Sequence, residues 1–362
     1  MRKRYLLASL LPLLALAQES ISIEEYNPKS TLVVPQHTVT RAKFPFIDIH
    51  NHQRDVSPAR LAQLLKDMDS LNMRILVDSP VNGGAGEWLQ KAVTSVRAFN
   101  KDRFAVFTNI DFKNVDDPDY IQRITSQLEQ DIKAGAVGLK IWKNFGMNEK
   151  DSKGARLKVN DPRYDPVWDL CAKYKIPVLI HTADPWGLFQ PMDKNNERWL
   201  ELKMRPNRNR GGEKADPSWE TLMFEQHDLF AKHPKTTFIN AHMGWMAHDL
   251  GALGKLLDTL PNMYVEIGAI TSELGRQPRA AREFFTKYQD RVLFGKDAYS
   301  VPEYYTYFRV LETADEYFDP IRKYHGIWKL YGMALPDEVL KKLYYKNALK
   351  ILPGLNPAGF PQ

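Results

Sequence analysis

From about residue 44 onward, short apolar runs alternate with longer stretches whose apolar positions recur every three or four residues. That rhythm predicts strands separated by amphipathic helices, and therefore a mainly parallel sheet. The strand pattern falls on Phe46 to His50, Arg74 to Asp78, Phe104 to Ile110 and Val137 to Lys143. It continues at Pro177 to His181, Thr237 to His242, Tyr264 to Ile267 and Val292 to Phe294. Helical spacing covers Pro58 to Leu71, Glu87 to Phe99, Tyr120 to Ala134, Ser218 to Lys232 and Glu273 to Tyr288, with a last helix over Asp337 to Ile351. Asp117-Pro118 and Asp216-Pro217-Ser218 read as helix starts, where a short polar side chain can accept the free N–H groups of a first turn. Eight such strands are the number that closes a barrel. An open doubly wound sheet shares the alternation, but no Gly-x-Gly-x-x-Gly follows the first strand and no Gly-Lys-Ser/Thr loop occurs, so nucleotide-binding versions lose ground.

The chemistry sits where strands end. Along Ile47-Asp48-Ile49-His50-Asn51-His52, alternation sends Ile47 and Ile49 toward the helices and His50 and His52 toward the barrel axis. Two imidazoles at this spacing can offer lone pairs to one ion from a single strand. Alone the pair is a moderate signal, since a lone histidine is more often a hydrogen-bonded core residue. However, the chain has only nine histidines, and His181 and His242 also end apolar runs, while Asp297 ends the run Val292-Leu293-Phe294-Gly295-Lys296. A core-packing explanation would have to place polar side chains at four strand ends by accident. Neutral imidazoles and a carboxylate suit zinc, and also manganese, iron or cobalt.

On the fourth strand Val137, Leu139 and Ile141 share one face, which points Lys140 inward and Lys143 away. Two readings of Lys140 stay open. One is an ammonium paired with Glu266 or Asp48; the other is an amine that adds carbon dioxide and bridges two metals. The longest connection, Thr182 to Asp216, exceeds the usual strand-to-helix link and carries Trp186, Phe189 and Trp199 with Lys203, Arg205, Arg208 and Arg210. It reads either as a lid offering guanidinium groups to an anionic substrate, with Trp186 and Arg205 as candidate contacts, or as a solvated or subunit-contact surface. Arg54 faces a substrate anion or an acid such as Asp55. Cys171, His227, His233 and His248 read as structural or surface residues, and Gly83-Gly84-Ala85-Gly86 as a flexible turn lacking the lysine of a phosphate loop. The aromatic stretch Tyr304 to Tyr331 pads the barrel rim or joins subunits in a homo-oligomer, and the last residues, 356–362, form a tail expected to add little.

At 362 residues the chain passes the usual ceiling for one core, so it holds either two domains or one barrel with insertions. Apolar residues at 43% and charged residues at 26% exclude disordered and collagen-like classes. The single cysteine excludes an internal disulfide framework and a thiolate zinc finger. Met1 to Arg4 supplies a positive start, Tyr5 to Leu14 an apolar run and Ala15-Leu16-Ala17 a small-x-small pattern, which together read as a signal peptide over residues 1–17. The expected mature chain is exported, periplasmic or secreted. It begins with an extended segment over 18–43 ahead of a barrel over 44–355. The formal charge of +6 includes Arg2, Lys3 and Arg4, and what remains is too small to argue for nucleic-acid binding. No later stretch is long enough to span a bilayer.

The segments Ile47 to His52, Ile180-His181-Thr182, Asn240-Ala241-His242-Met243-Gly244 and Leu293-Phe294-Gly295-Lys296-Asp297, in that order, resemble the amidohydrolase superfamily and its amidohydrolase-related branch. The resemblance covers nearly all of the mature chain. It implies an α/β fold, a distorted (β/α)8 TIM barrel in one domain with a long loop after the fifth strand. It further implies that His50, His52 and Asp297 hold a divalent metal, that His181 is a ligand, and that His242 is a second-metal ligand or an acid/base. Lys140 matches the bridging lysine of members with two ions. Lys296 departs from the family pattern, in which a small hydroxyl residue commonly precedes the aspartate. The implied activity is hydrolysis of an amide, lactone or other ester bond in a small molecule, with Asp297 and His242 as catalytic groups. Nonoxidative decarboxylation of an aromatic or related acid is the alternative, and a non-catalytic binding barrel the third reading.

Overall fold

The first strand, β1 (Phe46–Asn51), is buried at every residue, because its alternate side chains enter either the helix layer or the ring interior and neither face meets water. The computed structural model describes residues 20–361 apart from 82, 213, 214 and 326, so the expected signal segment lies outside the described residues. After β1 come β2 (Met73–Asp78), β3 (Phe104–Val106), β4 (Leu139–Ile141), β5 (Val178–Ile180), β6 (Phe238–Asn240), β7 (Met263–Glu266) and β8 (Val292–Leu293). Each pairs in parallel with its sequence neighbours, as a group β1-β2-β3 and a group β4-β5-β6-β7-β8. Two single-residue bridges, Thr108 with Leu139 and Asn51 with Asp297, join the groups. At these seams Thr108 N–H donates to Gly138 O at 2.9 Å, and Asp297 N–H donates to His50 O at 2.6 Å. The result is the distorted eight-stranded barrel that the sequence rhythm predicts.

Both β3 and β4 are shorter than their apolar runs, and the seam between them packs closely. Fully buried Phe107 lays its ring across the backbone of Gly138, where a Cβ would stand 2.7 Å from the ring edge. Backbone pairing continues through this seam, with Val137 N–H donating to Val106 O at 3.0 Å and Lys140 N–H to Thr108 O at 2.8 Å. The expected helix over Glu273 to Tyr288 is two, Thr271–Arg276 and Pro278–Lys287, since Pro278 lacks an N–H and opens a new first turn. Ser218 caps the helix Trp219–Lys232 by accepting from Thr221 N–H. Asp117-Pro118 precedes a helix that starts only at Tyr120, without a side-chain cap. The last helix forms as Asp337–Lys341, a π-helical turn Lys342–Lys346, and Asn347–Ile351.

The connection after β5 is largely structured, holding short helical turns at Trp186–Phe189, Trp199–Met204 and Pro206–Arg208. The aromatic stretch after β8 begins as a helix, Val301–Glu312, whose Tyr304, Tyr307 and Phe308 are buried. Those rings pack against Phe46 and Phe294 beneath the helix, so this part of the stretch belongs to the core. The terminal tail is anchored as well: Phe360 stacks on Tyr345 with centroids 5.0 Å apart, and Tyr345 Oη–H donates to Pro361 O. At the other end, His37 N–H donates to Asp315 and Ala42 is buried. Residues 20–33 form a separate unit with a local turn held by Ser22 and Glu25. Among the described residues no helix is long and apolar enough to cross a membrane.

Two consequences can be measured. Gly138→Ala forces the Phe107 ring to move and is expected to lower unfolding free energy by about 1–3 kcal/mol, with partial recovery in Gly138→Ala/Phe107→Leu; urea denaturation of both variants checks this. Burial pushes the His227 imidazole down to about 4, and its Nε2 has no partner. The fold therefore holds it neutral while the unfolded chain protonates near 6.5. The stability that this group contributes is present above 6.5 and is lost as pH falls toward 4. His227→Leu should remove about 2 kcal/mol of that acid-side loss, read from unfolding free energies at several pH values.

Candidate metal centre

His50 and His52 leave β1 with their ring protons already committed. His50 Nδ1 lies 2.9 Å from Glu266 Oε1, and His52 Nδ1 contacts the carbonyl of Ser79. Both partners accept, so each Nδ1 carries a hydrogen; at His50, where burial disfavours a second proton and Lys140 Nζ approaches Nε2, that Nε2 is a lone pair, and a neutral His52 presents one as well. Those two atoms turn toward Asp297. Its Oδ1 is 2.9 Å from His52 Nε2 and 3.9 Å from His50 Nε2. His52 Nε2 is buried and has no hydrogen-bond partner. With His52 neutral, this atom and the carboxylate oxygen are two acceptors in contact, an arrangement that a cation reconciles. Nitrogen and oxygen ligands about 2.1 Å from one ion stand roughly 3.0–3.4 Å apart, and the observed separations bracket that value. His50, His52 and Asp297 therefore fit a divalent ion.

The second cluster is His181 with His242. His242 Nδ1 donates to Gly268 O at 2.8 Å, leaving Nε2 as an acceptor 3.3 Å from His181 Nδ1. His181 has two self-consistent proton placements, because its Nε2 is 3.1 Å from Ala183 O and 3.3 Å from the indole N–H of Trp245. With the hydrogen on Nε2, two lone pairs face each other and suit a further ion. With it on Nδ1, the histidines are hydrogen-bonded and form a proton path.

Glu266, at the end of β7, ties the clusters together. Its Oε1 also accepts from His242 N–H at 2.6 Å, and its Oε2 accepts from Gly268 N–H at 2.6 Å. His50, His242 and Glu266 form a second group with metal-ligand spacing, but these bonds make Glu266 a scaffold for both histidines. Sequence reasoning credited it only as a counter-charge for Lys140. The available signal was its position, an inward-facing acid at a strand end like the others. Lys140 is buried with Nζ 2.8 Å from His50 Nε2, so its hydrogen-bond contact is a candidate ligand histidine, and of its two open readings the ion pair with Glu266 or Asp48 is not formed at hydrogen-bond distance. Asp48 is occupied elsewhere, by His50 N–H, Asn51, Lys296 N–H and the Tyr304 hydroxyl. Lys296 points away from the centre, as expected, to Glu303 at 2.7 Å.

Burial controls the charges. It pushes His242 down to about 4 and His50 and His181 well below their usual value, with Lys140 adding to the effect on His50 and His242 adding to it on His181. It also lowers Lys140 to about 8 against the pull of Asp297 and Glu266. Burial alone would raise Asp297; positive charge beside it, on the neighbouring histidines or on a bound cation, acts in the opposite direction. The backbone is unusual at the same place: Ala183, His242, Met243, Trp245, Ala269 and Asp297 all have positive φ. Such conformations concentrate where surrounding contacts enforce them, here at the ends of β5 to β8.

The remaining candidates lie elsewhere. Arg54 is exposed. Arg205 is exposed and stacks over Tyr324 at 4.9 Å. Trp186 stacks on His248, with centroids 5.8 Å apart. The basic cluster is also less available than its sequence implies, since Arg208 pairs with Glu201 and Arg210 with Asp184. The rings that do border the histidines are Trp142, 5.1 Å from His181, and Trp245, 4.4 Å from His242; neither was singled out beforehand.

A family model described as amidohydrolase matches residues 47–354. The chain belongs to the amidohydrolase family. It is accordingly an enzyme of that superfamily, with a His/Glu/Asp group able to bind a metal. A search of curated proteins gives no match. Among solved structures, an uncharacterized TIM-barrel protein from Bordetella bronchiseptica aligns at 14% identity and TM-score 0.52, over 84% of this chain and 97% of that one. 4-Oxalomesaconate hydratase from Rhodopseudomonas palustris aligns at 15% and 0.52, over 85% and 95%. A dihydroxybenzoic acid decarboxylase from Polaromonas sp. JS666, solved with manganese and 2-nitroresorcinol, aligns at 14% and 0.52, over 85% and 96%. At these identities the likeness concerns the fold.

Metal content checks the ligand set. His52→Ala and Asp297→Asn are expected to lose at least nine-tenths of the metal bound by the wild type, by elemental analysis, and chelation should lower the wild-type melting temperature but not theirs. A Cβ at Gly295 would stand 2.5 Å from Glu266 Oε2 and 2.8 Å from His50 Cβ. Gly295→Ala should therefore weaken metal retention while leaving the circular dichroism spectrum unchanged.

Proposed function

We propose that this amidohydrolase is a metal-dependent hydrolase that cleaves an amide, lactone or other ester bond in a small molecule. The observation that carries the reading is the contact of His52 Nε2 with Asp297 Oδ1 at 2.9 Å. A neutral imidazole there faces the carboxylate with a lone pair, and a cation held by both reconciles the two. His50, His52 and Asp297 would hold a divalent ion, with zinc the leading choice and manganese, iron or cobalt alternatives, and it would supply Lewis acidity and a water acidified toward a pKa of about 7.

The chain's own residues do the rest. Asp297, whose side chain is 29% exposed, faces the approach to the centre and takes the proton of the attacking water. As the new C–O bond forms and the bond to the leaving group breaks, that proton must reach the leaving nitrogen or oxygen. His242 cannot donate at first, because its hydrogen is held by Gly268 O. It accepts a proton at Nε2, and only as the imidazolium does it donate to the carbonyl oxygen or the leaving group. Glu266 fixes both His50 and the backbone of His242, so it is a positioning residue. Lys140, lowered to about 8, is the group whose state divides a one-ion from a two-ion centre.

Decarboxylation of an aromatic acid is the competing reading, and the pairing of Arg208 and Arg210 with acids removes much of the carboxylate clamp that supported it. Export of the mature protein belongs to the same proposal, tested by N-terminal sequencing of extracellular or periplasmic material for a start at Gln18. The chemistry is tested by assaying metal-loaded enzyme on lactones, aryl esters and N-acyl amides, beside carbon dioxide release from aromatic acids. Hydrolysis that falls at least about 10³-fold in Asp297→Asn supports the reading; carbon dioxide release without hydrolysis overturns it.

A further inference from the structure

Lys296, the residue before Asp297, is only 3% exposed, and its side chain folds back over the turn that follows. Its ammonium donates to the carbonyl of Ala298 and to Glu303 Oε2, the latter at 2.7 Å. Nζ also lies 5.4 Å from the ring centre of Tyr304 and 6.0 Å from that of Tyr307. Glu303 stands in the first turn of the helix Val301–Glu312, and its other oxygen pairs with Arg322 at 2.6 Å. One cation thus ties together the end of the last strand, the carbonyl just past Asp297 and the start of the next helix.

The turn it spans is one that needs holding. Asp297 has a φ of 75°, a left-handed conformation that a residue other than glycine keeps where its surroundings enforce it. On the near side, Lys296 N–H donates to Asp48 Oδ1 at 3.2 Å and Asp297 N–H to His50 O at 2.6 Å. On the far side the hold on Ala298 O comes from Lys296 Nζ. The direction of the Asp297 carboxylate follows from the torsions that these bonds fix, and a metal site tolerates errors of only about 0.2 Å in its ligand distances. Stability is a poor reason for the cation itself. Burying an ammonium is costly, and an apolar side chain of similar length often does as well or better. A methionine at 296 would also pack against Tyr304 and Tyr307, but it could not hold the Ala298 carbonyl.

We propose that Lys296 is a positioning residue for the metal centre, clamping the left-handed turn so that Asp297 presents its carboxylate to the same ion as His50 and His52. The assignment rests on the reading of His50, His52 and Asp297 as the set that holds the ion, and it deepens that reading by naming what aims the carboxylate. Lys296 acts through the backbone of Asp297 and touches neither ion nor substrate.

The test separates affinity from stability. Wild type, Lys296→Met, Lys296→Arg and Glu303→Gln are stripped with a chelator and titrated with cobalt(II), whose visible absorption reports the coordination geometry. Lys296→Met should bind cobalt about 10–100-fold more weakly, the range for groups that orient a metal ligand, and with an altered spectrum. Its metal-free melting temperature should stay within about 5 °C of wild type. Lys296→Arg, which keeps the charge and the donors, should recover most of the lost affinity. Glu303→Gln should lose less than Lys296→Met, because its side-chain oxygen still accepts from Lys296. Hydrogen exchange of the metal-free proteins adds a readout that needs no ion: amides of residues 297–300 should exchange faster in Lys296→Met than in wild type, while those of β5 to β7 do not.

Unchanged cobalt affinity and spectrum in Lys296→Met, beside a wild type that binds cobalt, overturn the clamp and leave the metal centre standing. A Lys296→Met protein that does not fold, or whose metal-free form melts further below wild type than that limit, also overturns it, since the residue then serves the fold. Faster exchange at 297–300 in Lys296→Met with a wild type that binds no cobalt supports the clamp on the turn and removes the reading of the three residues as a metal site.

Discussion

The arrangement at the barrel mouth turns on a single constraint: too many lone pairs in too little space. His50 and His52 each spend an N–H on a fixed oxygen, Glu266 and the Ser79 carbonyl. In the neutral rings both unprotonated nitrogens are thereby turned toward an aspartate. In water such a cluster would relax by rotating or taking up protons. Here burial disfavours protonation of His50, and the strand ends hold the rings in place. Positive charge is the missing component, and in the described residues Lys140 alone approaches His50 Nε2 with any.

Maintaining that cluster shapes the surrounding backbone. Glu266 reaches His50, His242 N–H and Gly268 N–H at once, which requires the chain to come close from two sides. Gly295 permits this because a side chain there would strike both Glu266 and His50. After β6 the chain turns through a run of left-handed residues from His242 to Trp245, a conformation disfavoured for all but glycine. Glu266 accepting from the first of these amides helps to hold the turn. Its effect is to place an imidazole and an indole one after the other, so that both rings meet His181.

Much of this was legible in the sequence because period and position are local properties. The strands were visible as apolar runs, and His50, His52, His181, His242 and Asp297 declared themselves by ending those runs. What escaped notice depends on contacts between distant segments. Nothing local reveals that the Phe107 ring packs against Gly138, or that Arg208 and Arg210, with no acid between them in sequence, meet Glu201 and Asp184 in space. Glu266 was seen to face inward, but its three-way bonding is a property of the closed barrel. Trp142 and Trp245 lacked any distinguishing pattern among the chain's other aromatic residues. Pro278 was readable and overlooked: a proline inside a helical pattern marks a new start.

The seam between β8 and β1 gives the centre a mechanical meaning. There the ring is joined by the bridge of Asn51 with Asp297 and by two backbone hydrogen bonds, Ile49 N–H to Phe294 O and Asp297 N–H to His50 O. The residues on either side of that junction are the ones whose side chains converge. An ion gripped by His50, His52 and Asp297 would act as a rivet between the first and last staves, so that fastening the barrel shut and arming it for chemistry become one event.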